Sequence, residues 1–172
     1  MKITRNFEMD EFVPSDNYEV TDKNMVFLKY MCVTLEYIRV LINEPVYITS
    51  GIRDLDAYFD LLNRGYHPSE TSDHFFGNPV FWPDTGKYYT MSVGAADIVF
   101  ANTNILSVYE QVKKQGWLDE RIGQFLYEKD GSVEWIHVSN NPKDFYQHSM
   151  LELFPDRKKY LKSFNGGITW EE

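Results

Sequence analysis

Two histidines and an aspartate, His74, Asp97 and His137, occur on separate stretches of the chain. Their contexts, Ser72-Asp-His-Phe-Phe-Gly77, Ala95-Ala-Asp97 and Gly131-Ser-Val-Glu-Trp-Ile-His-Val-Ser139, could each present a side chain to a shared site. Two imidazoles and one carboxylate around a divalent ion leave a fourth position open, the arrangement of a catalytic rather than a structural zinc. An ion so held polarises a carbonyl and lowers the pKa of a bound water toward neutrality. Glu134, just upstream of His137, is the candidate general base, taking a proton from that water and passing it to a leaving amine. Arg53, at the end of Ser50-Gly-Ile-Arg53, is a candidate cation for an oxyanion or a substrate carboxylate. Each residue also has a plainer reading: a satisfied core or edge histidine, an aspartate capping a turn, an exposed strand glutamate, an arginine on the surface. Within a strand Glu134 and His137 fall on opposite faces, so they converge only where the strand twists or ends.

The elements that must position these groups follow from hydrophobic periodicity and turn signals. Residues 1–20 form an arm that docks Phe7, Phe12 and Val13. A helix capped by Thr21 or Asp22 then carries Met25, Leu28, Met31, Leu35, Ile38 and Ile42 at helical spacing and ends at Asn43-Glu-Pro45. Val46 to Thr49 reads as a short strand delivering Arg53, and residues 54–68 as a short helix and a loop in which His67 is solvated. Ser69 to Val93 is a long segment of turn formers and aromatics, suited to a hairpin in which Tyr88, Tyr89 and Met91 face Val80, Phe81 and Trp82. Gly94 to Phe100 is a buried strand with small residues where a backbone or an ion approaches. A second helix runs from Thr103 or Asn104 to Gln115-Gly116, followed by a strand over Arg121 to Tyr127, a hairpin turn over Glu128-Lys-Asp-Gly131, and the partner strand to Ser139. Residues 141–172 read as a helical extension.

A chain of 172 residues with 43% hydrophobic and 16% aromatic content supplies one core, so a single domain is expected. The net charge of −9 excludes nucleic acid as the main partner, since that polymer demands clustered lysine and arginine. No apolar run has the length of a membrane span, and the first residues lack the apolar middle of a signal peptide, so synthesis in the cytoplasm is expected. Cys32, the single cysteine, lies in a helical apolar pattern and reads as a buried thiol.

Taken together, Ser-x-His-x-x-Gly, Ala-x-Asp, a later Glu-x-x-His and an upstream Ser-Gly-x-Arg resemble the zinc D-alanyl-D-alanine carboxypeptidases and dipeptidases of the peptidase M15-like group. That group includes phage endolysins. The resemblance runs from Phe7 to Ser139, with Ile48-Thr-Ser-Gly-Ile-Arg53 and Trp135-Ile-His-Val-Ser139 its closest fragments. It implies a small α+β fold of the Hedgehog/DD-peptidase type with a central antiparallel sheet flanked by helices. It also implies zinc on His74, Asp97 and His137, Glu134 as base, Arg53 in the cleft, and Ser72 supporting the ligand loop or the substrate. The implied function is hydrolysis of a peptidoglycan peptide bond at a D-alanyl residue. The implied setting is the cell wall, reached without an export signal as a phage lysis or virion protein. The alternative is a non-catalytic wall- or peptide-binding module of the same fold. One departure is large. In the family the aspartate closely follows the histidine, whereas here residues 78–93 intervene as an insertion. If the insertion is a hairpin, its ends meet and the site survives; otherwise Asp97 misses the metal. Its aromatics, Phe81, Trp82, Tyr88 and Tyr89, either wall the cleft or pack on the domain.

Overall fold

The computed structural model describes residues 1–15, 18–68, 72–77, 80–82, 87–89, 93–116, 118–141 and 158–172, of which 80–82 and 87–89 are described as backbone only. Helix α1, Asp22–Ile42, forms where the apolar spacing predicts it. Thr21 caps it by accepting from the Asn24 amide at 3.1 Å, while Asn24 Oδ1 accepts from the Thr21 amide at 3.1 Å. Asn43, in the left-handed region, ends it. Its buried stripe of Phe27, Leu28, Met31, Cys32, Leu35 and Ile38 faces the core, and burial pushes the Cys32 thiol up to about 12, an inert packing group.

A five-stranded sheet, in the order β1, β4, β6, β5, β7, lies against that stripe. Its strands are β1 Val46–Ser50, β4 Ala95–Phe100, β6 Val133–Asn140, β5 Ile122–Asp130 and β7 Tyr160–Ser163. Alternation divides the sheet cleanly. Ala96, Ile98, Phe100, Phe125, Tyr127, Ile136 and Val138 point into the core with α1 and α3, Ile105–Gln115. Asp97, Leu126, Glu128, Trp135 and His137 belong to the other face, which lines a cleft. Helix α2, Leu55–Asn63, capped by Asp54, sits beside the cleft mouth. Among the described residues no helix is long and apolar enough to cross a membrane.

The fold is α+β, as expected, but the sheet is mixed rather than antiparallel. The described part of the expected helical extension, 158–172, supplies β7, which pairs parallel to β5; the remainder, 142–157, lies outside the described residues. The lysines and acids around Tyr160 suggested a solvated helix. Instead Tyr160 packs edge-on against Tyr109 and Phe125, and the Lys159 carbonyl accepts from the Phe125 amide at 2.7 Å. Tertiary pairing at an open sheet edge overrides the local pattern.

The insertion does contain a hairpin: β2, Val80–Trp82, pairs antiparallel with β3, Lys87–Tyr89; Met91 and the turn between them lie outside the described residues. Its flanks are clamped. Phe76 is fully buried, and its ring lies so close to Gly94 that an added Cβ there would come within 2.6 Å of it. The Phe76 carbonyl also accepts from Asn24 Nδ2 at 2.8 Å. The two halves of the motif are therefore held together at the insertion's base.

The N-terminal arm does more than dock aromatics. Phe7 and Phe12 are fully buried, and the Phe12 carbonyl accepts from the Ile52 amide at 2.6 Å. A Cβ on Gly51 would meet the Phe12 carbonyl oxygen at 2.5 Å and its Cα at 2.6 Å, both backbone atoms with nowhere to go. Gly51→Ala is therefore expected to destabilise the fold by about 1–3 kcal/mol, as overpacking does, seen as a lower denaturation midpoint in circular dichroism.

Candidate metal centre

Asp97 and His137 are direct cross-strand partners in the β4 and β6 ladder, which puts their side chains side by side on the cleft face. His74 comes from outside the sheet, on a 3-10 turn, Asp73–Phe75, begun by Ser72, whose Oγ accepts from the His74 amide at 3.3 Å. The segment following β1 grips this turn twice. The Gly51 carbonyl accepts from His74 Nδ1 at 2.7 Å, and the His74 carbonyl accepts from the Arg53 amide at 2.7 Å. A carbonyl can only accept, so Nδ1 carries the proton and Nε2 presents a lone pair. An imidazole whose other nitrogen is fixed by a carbonyl is the usual arrangement of a metal ligand.

The three ligand atoms converge. His74 Nε2 lies 3.2 Å from Asp97 Oδ1 and 3.1 Å from His137 Nδ1, and His137 Nδ1 lies 3.0 Å from Asp97 Oδ1. With Nε2 of His74 and the carboxylate both acceptors, at most one proton, on His137, can offset three electron-rich atoms. A tetrahedral ion with ligands at 2.0–2.1 Å spaces its donors about 3.3 Å apart, so these residues fit one with a few tenths of an ångström of expansion. Among the described residues, this is the trio of His, Cys, Asp or Glu able to hold an ion.

The electrostatics agree with a cation-shaped site. Burial raises the Asp97 carboxyl, but the neighbouring His74 and then the hydrogen bond from His137 outweigh it and hold it well below the usual carboxylate range. Burial pulls His74 down, only partly opposed by Asp97. At His137 the hydrogen bond and charge of Asp97, with Glu128 and Asp73, overcome burial and raise it.

Arg53 is buried, not a surface charge, with 8% exposure, and its Nη1 donates to Ser72 Oγ at 3.4 Å. Burial pulls its pKa down while Asp97 and Glu128 act against this. Ser72 thus ties the guanidinium to the histidine's turn. His67 is exposed at the cleft edge, as expected.

Glu134 is placed differently from its partners. It lies opposite Lys129 in the β5 and β6 ladder, and Lys129 Nζ donates to its Oε1 at 2.7 Å. Tyr127, on the core face, also hydrogen-bonds Glu134; burial, then the Glu134 charge and that bond, push the Tyr127 hydroxyl up to about 12. Glu134 borders the cleft but alternates away from His137, without a bulge between them to reverse it.

A carboxylate that the sequence reading overlooked stands on the cleft face instead. Strand β5 does not stop at Tyr127 but continues to Asp130, and the turn is only Gly131-Ser132, so Glu128 lies within the strand opposite Trp135. Its alternation with Gln124 and Leu126 was the available signal. Burial, then the Asp97 charge, pushes Glu128 up to about 7, against His137, a hydrogen bond with Trp135, and Arg53.

No family model matches the chain, and neither curated proteins nor solved structures give a match. The chemistry of the site therefore rests on its geometry. His74→Ala, Asp97→Asn and His137→Ala are each expected to lower bound metal from about one ion per chain to well under a tenth, measured by elemental analysis after dialysis against zinc.

Proposed function

We propose that the chain is a zinc-dependent peptidase of the Hedgehog/DD-peptidase type, hydrolysing a peptidoglycan peptide at a D-alanyl bond. The observation that carries this reading is the meeting of His74 Nε2, Asp97 Oδ1 and His137 Nδ1 at 3.0–3.2 Å on the floor of a cleft that also contains the buried guanidinium of Arg53. Bound there, zinc would polarise the scissile carbonyl and make water a competent nucleophile at neutral pH.

The protein's own groups supply the rest. His74 and His137 stay in fixed orientations, the first through Gly51, the second through its ladder partner Asp97. Arg53, held by Ser72, offers a planar fork to an oxyanion or a substrate's terminal carboxylate. The cleft encloses about 1010 Å3, the upper end of the range for small-molecule sites and suited to a short peptide. Two histidines and a carboxylate also suit ferrous iron. What favours hydrolysis is a buried cation next to the site, placed to receive negative charge. An acidic protein without a long apolar helix among its described residues fits a soluble phage lysis or virion enzyme that meets the wall from outside its site of synthesis.

A second reading, a wall-binding module without catalysis, is favoured by one observation: Glu134, the residue expected to serve as base, is held by Lys129 and Tyr127. The two readings separate in one assay. The peptidase is expected to release D-alanine or a dipeptide from purified muropeptides, to lose that activity with a chelator, and to regain it with zinc. Arg53→Ala is expected to cost about 100-fold or more in kcat/KM, the magnitude seen when one oxyanion donor is removed. Muropeptide binding without release, by the zinc-loaded protein, would make it a binding module.

A further inference from the structure

Which side chain handles the proton is decided by strand register. Leu126 stands directly opposite His137, and Glu128 directly opposite Trp135, so Glu128 is the diagonal neighbour of His137 on the same face. Diagonal partners across an antiparallel pair lie about 7–8 Å apart at the backbone, within reach of long side chains. Glu128 lines the same cleft as the three candidate ligands without being one of them, as a group acting on a water beside them must. Glu134 has the opposite parity and already holds an ammonium at 2.7 Å.

Resting on the peptidase reading above, we propose that Glu128, not Glu134, is the general base of this site. The water oxygen bonds to the scissile carbonyl carbon as the carbonyl π pair moves onto its oxygen and one water proton passes to a Glu128 carboxylate oxygen. Glu128 then gives that proton to the amide nitrogen as the oxyanion re-forms the carbonyl and the carbon–nitrogen bond breaks, so that the nitrogen leaves as an amine and Glu128 returns to its ionised form. No other co-reactant is consumed.

The Trp135 side chain hydrogen-bonds the Glu128 carboxyl group, which fixes its orientation in the cleft. The tail lies against it, and a Cβ on Gly167 would come within 3.4 Å of Glu128 Oε2. Lys129 and Tyr127 give Glu134 a different task, joining the ends of the β5 and β6 hairpin to the core.

The test compares Glu128→Gln, Glu128→Asp and Glu134→Gln. Glu128→Gln is expected to keep about one zinc per chain and its circular dichroism, to lose kcat about 100-fold or more, and to change KM by less than about threefold. Glu128→Asp is expected to recover part of the rate, and Glu134→Gln to lose at least tenfold less than Glu128→Gln. Visible absorption of the Co(II)-substituted protein reads the same contact without turnover: the band should change in Glu128→Gln and stay in Glu134→Gln. A larger loss of kcat in Glu134→Gln, or loss of metal or fold in both Glu128 variants, overturns the assignment. If the wild type hydrolyses no D-alanyl peptide, the peptidase reading falls. The Co(II) spectrum then decides alone whether Glu128 faces the ion's open position, and an unchanged band in Glu128→Gln overturns that placement.

Discussion

The hydrogen bond from His74 Nδ1 to the Gly51 carbonyl, 2.7 Å long, is the contact on which the site depends. Asp97 and His137 are set by a ladder that any stable sheet would form. His74 has no such guarantee, because it lies on a loop, and loops carry function only when a rigid element holds them. The Gly51 carbonyl supplies the anchor, selects the tautomer that frees Nε2, and does so from a backbone pinned by Phe12. The arm, the first strand and the candidate metal centre are thus successive links of one mechanical chain.

Around that anchor the molecule separates its two kinds of chemistry by strand parity. One face of the sheet carries Ile98, Ile136, Val138 and Phe125 against α1 and α3; the other carries Asp97, His137, Leu126 and Glu128. Charges are tolerated on the second face because they compensate one another. Asp97 serves two imidazoles, and Arg53 balances Asp97 and Glu128 at a distance. Removing one member leaves a buried charge with fewer partners, which costs far more than the same change on an open surface.

Much of this was legible in the residues themselves. The helical spacing from Met25 to Ile42, the Thr21 cap and the Gln115-Gly116 stop correspond to α1 and α3, and the insertion forms a hairpin. The triad His74, Asp97 and His137 was readable from its contexts, and the structure brings these side chains together. What escaped had non-local causes. The tail's strand depends on an edge that only the folded sheet provides, so its lysines suggested a helix. Glu128 was assigned to a turn because Lys-Asp-Gly is a strong turn signal, yet the ladder continues to Asp130 and needs only two residues to reverse. Arg53 was ambiguous because burial of a strand-end cation depends on Ser72, distant in sequence.

The clasp between Phe76 and Gly94 has an evolutionary consequence. With the base of the β2 and β3 hairpin fastened there, the insertion can vary without displacing the candidate ligands His74, Asp97 and His137. Its length and composition are free to diverge, since closing a longer loop adds little entropy. Selection acting on that appendage would leave His74, Asp97 and His137 where they are, so the two parts could evolve on separate clocks.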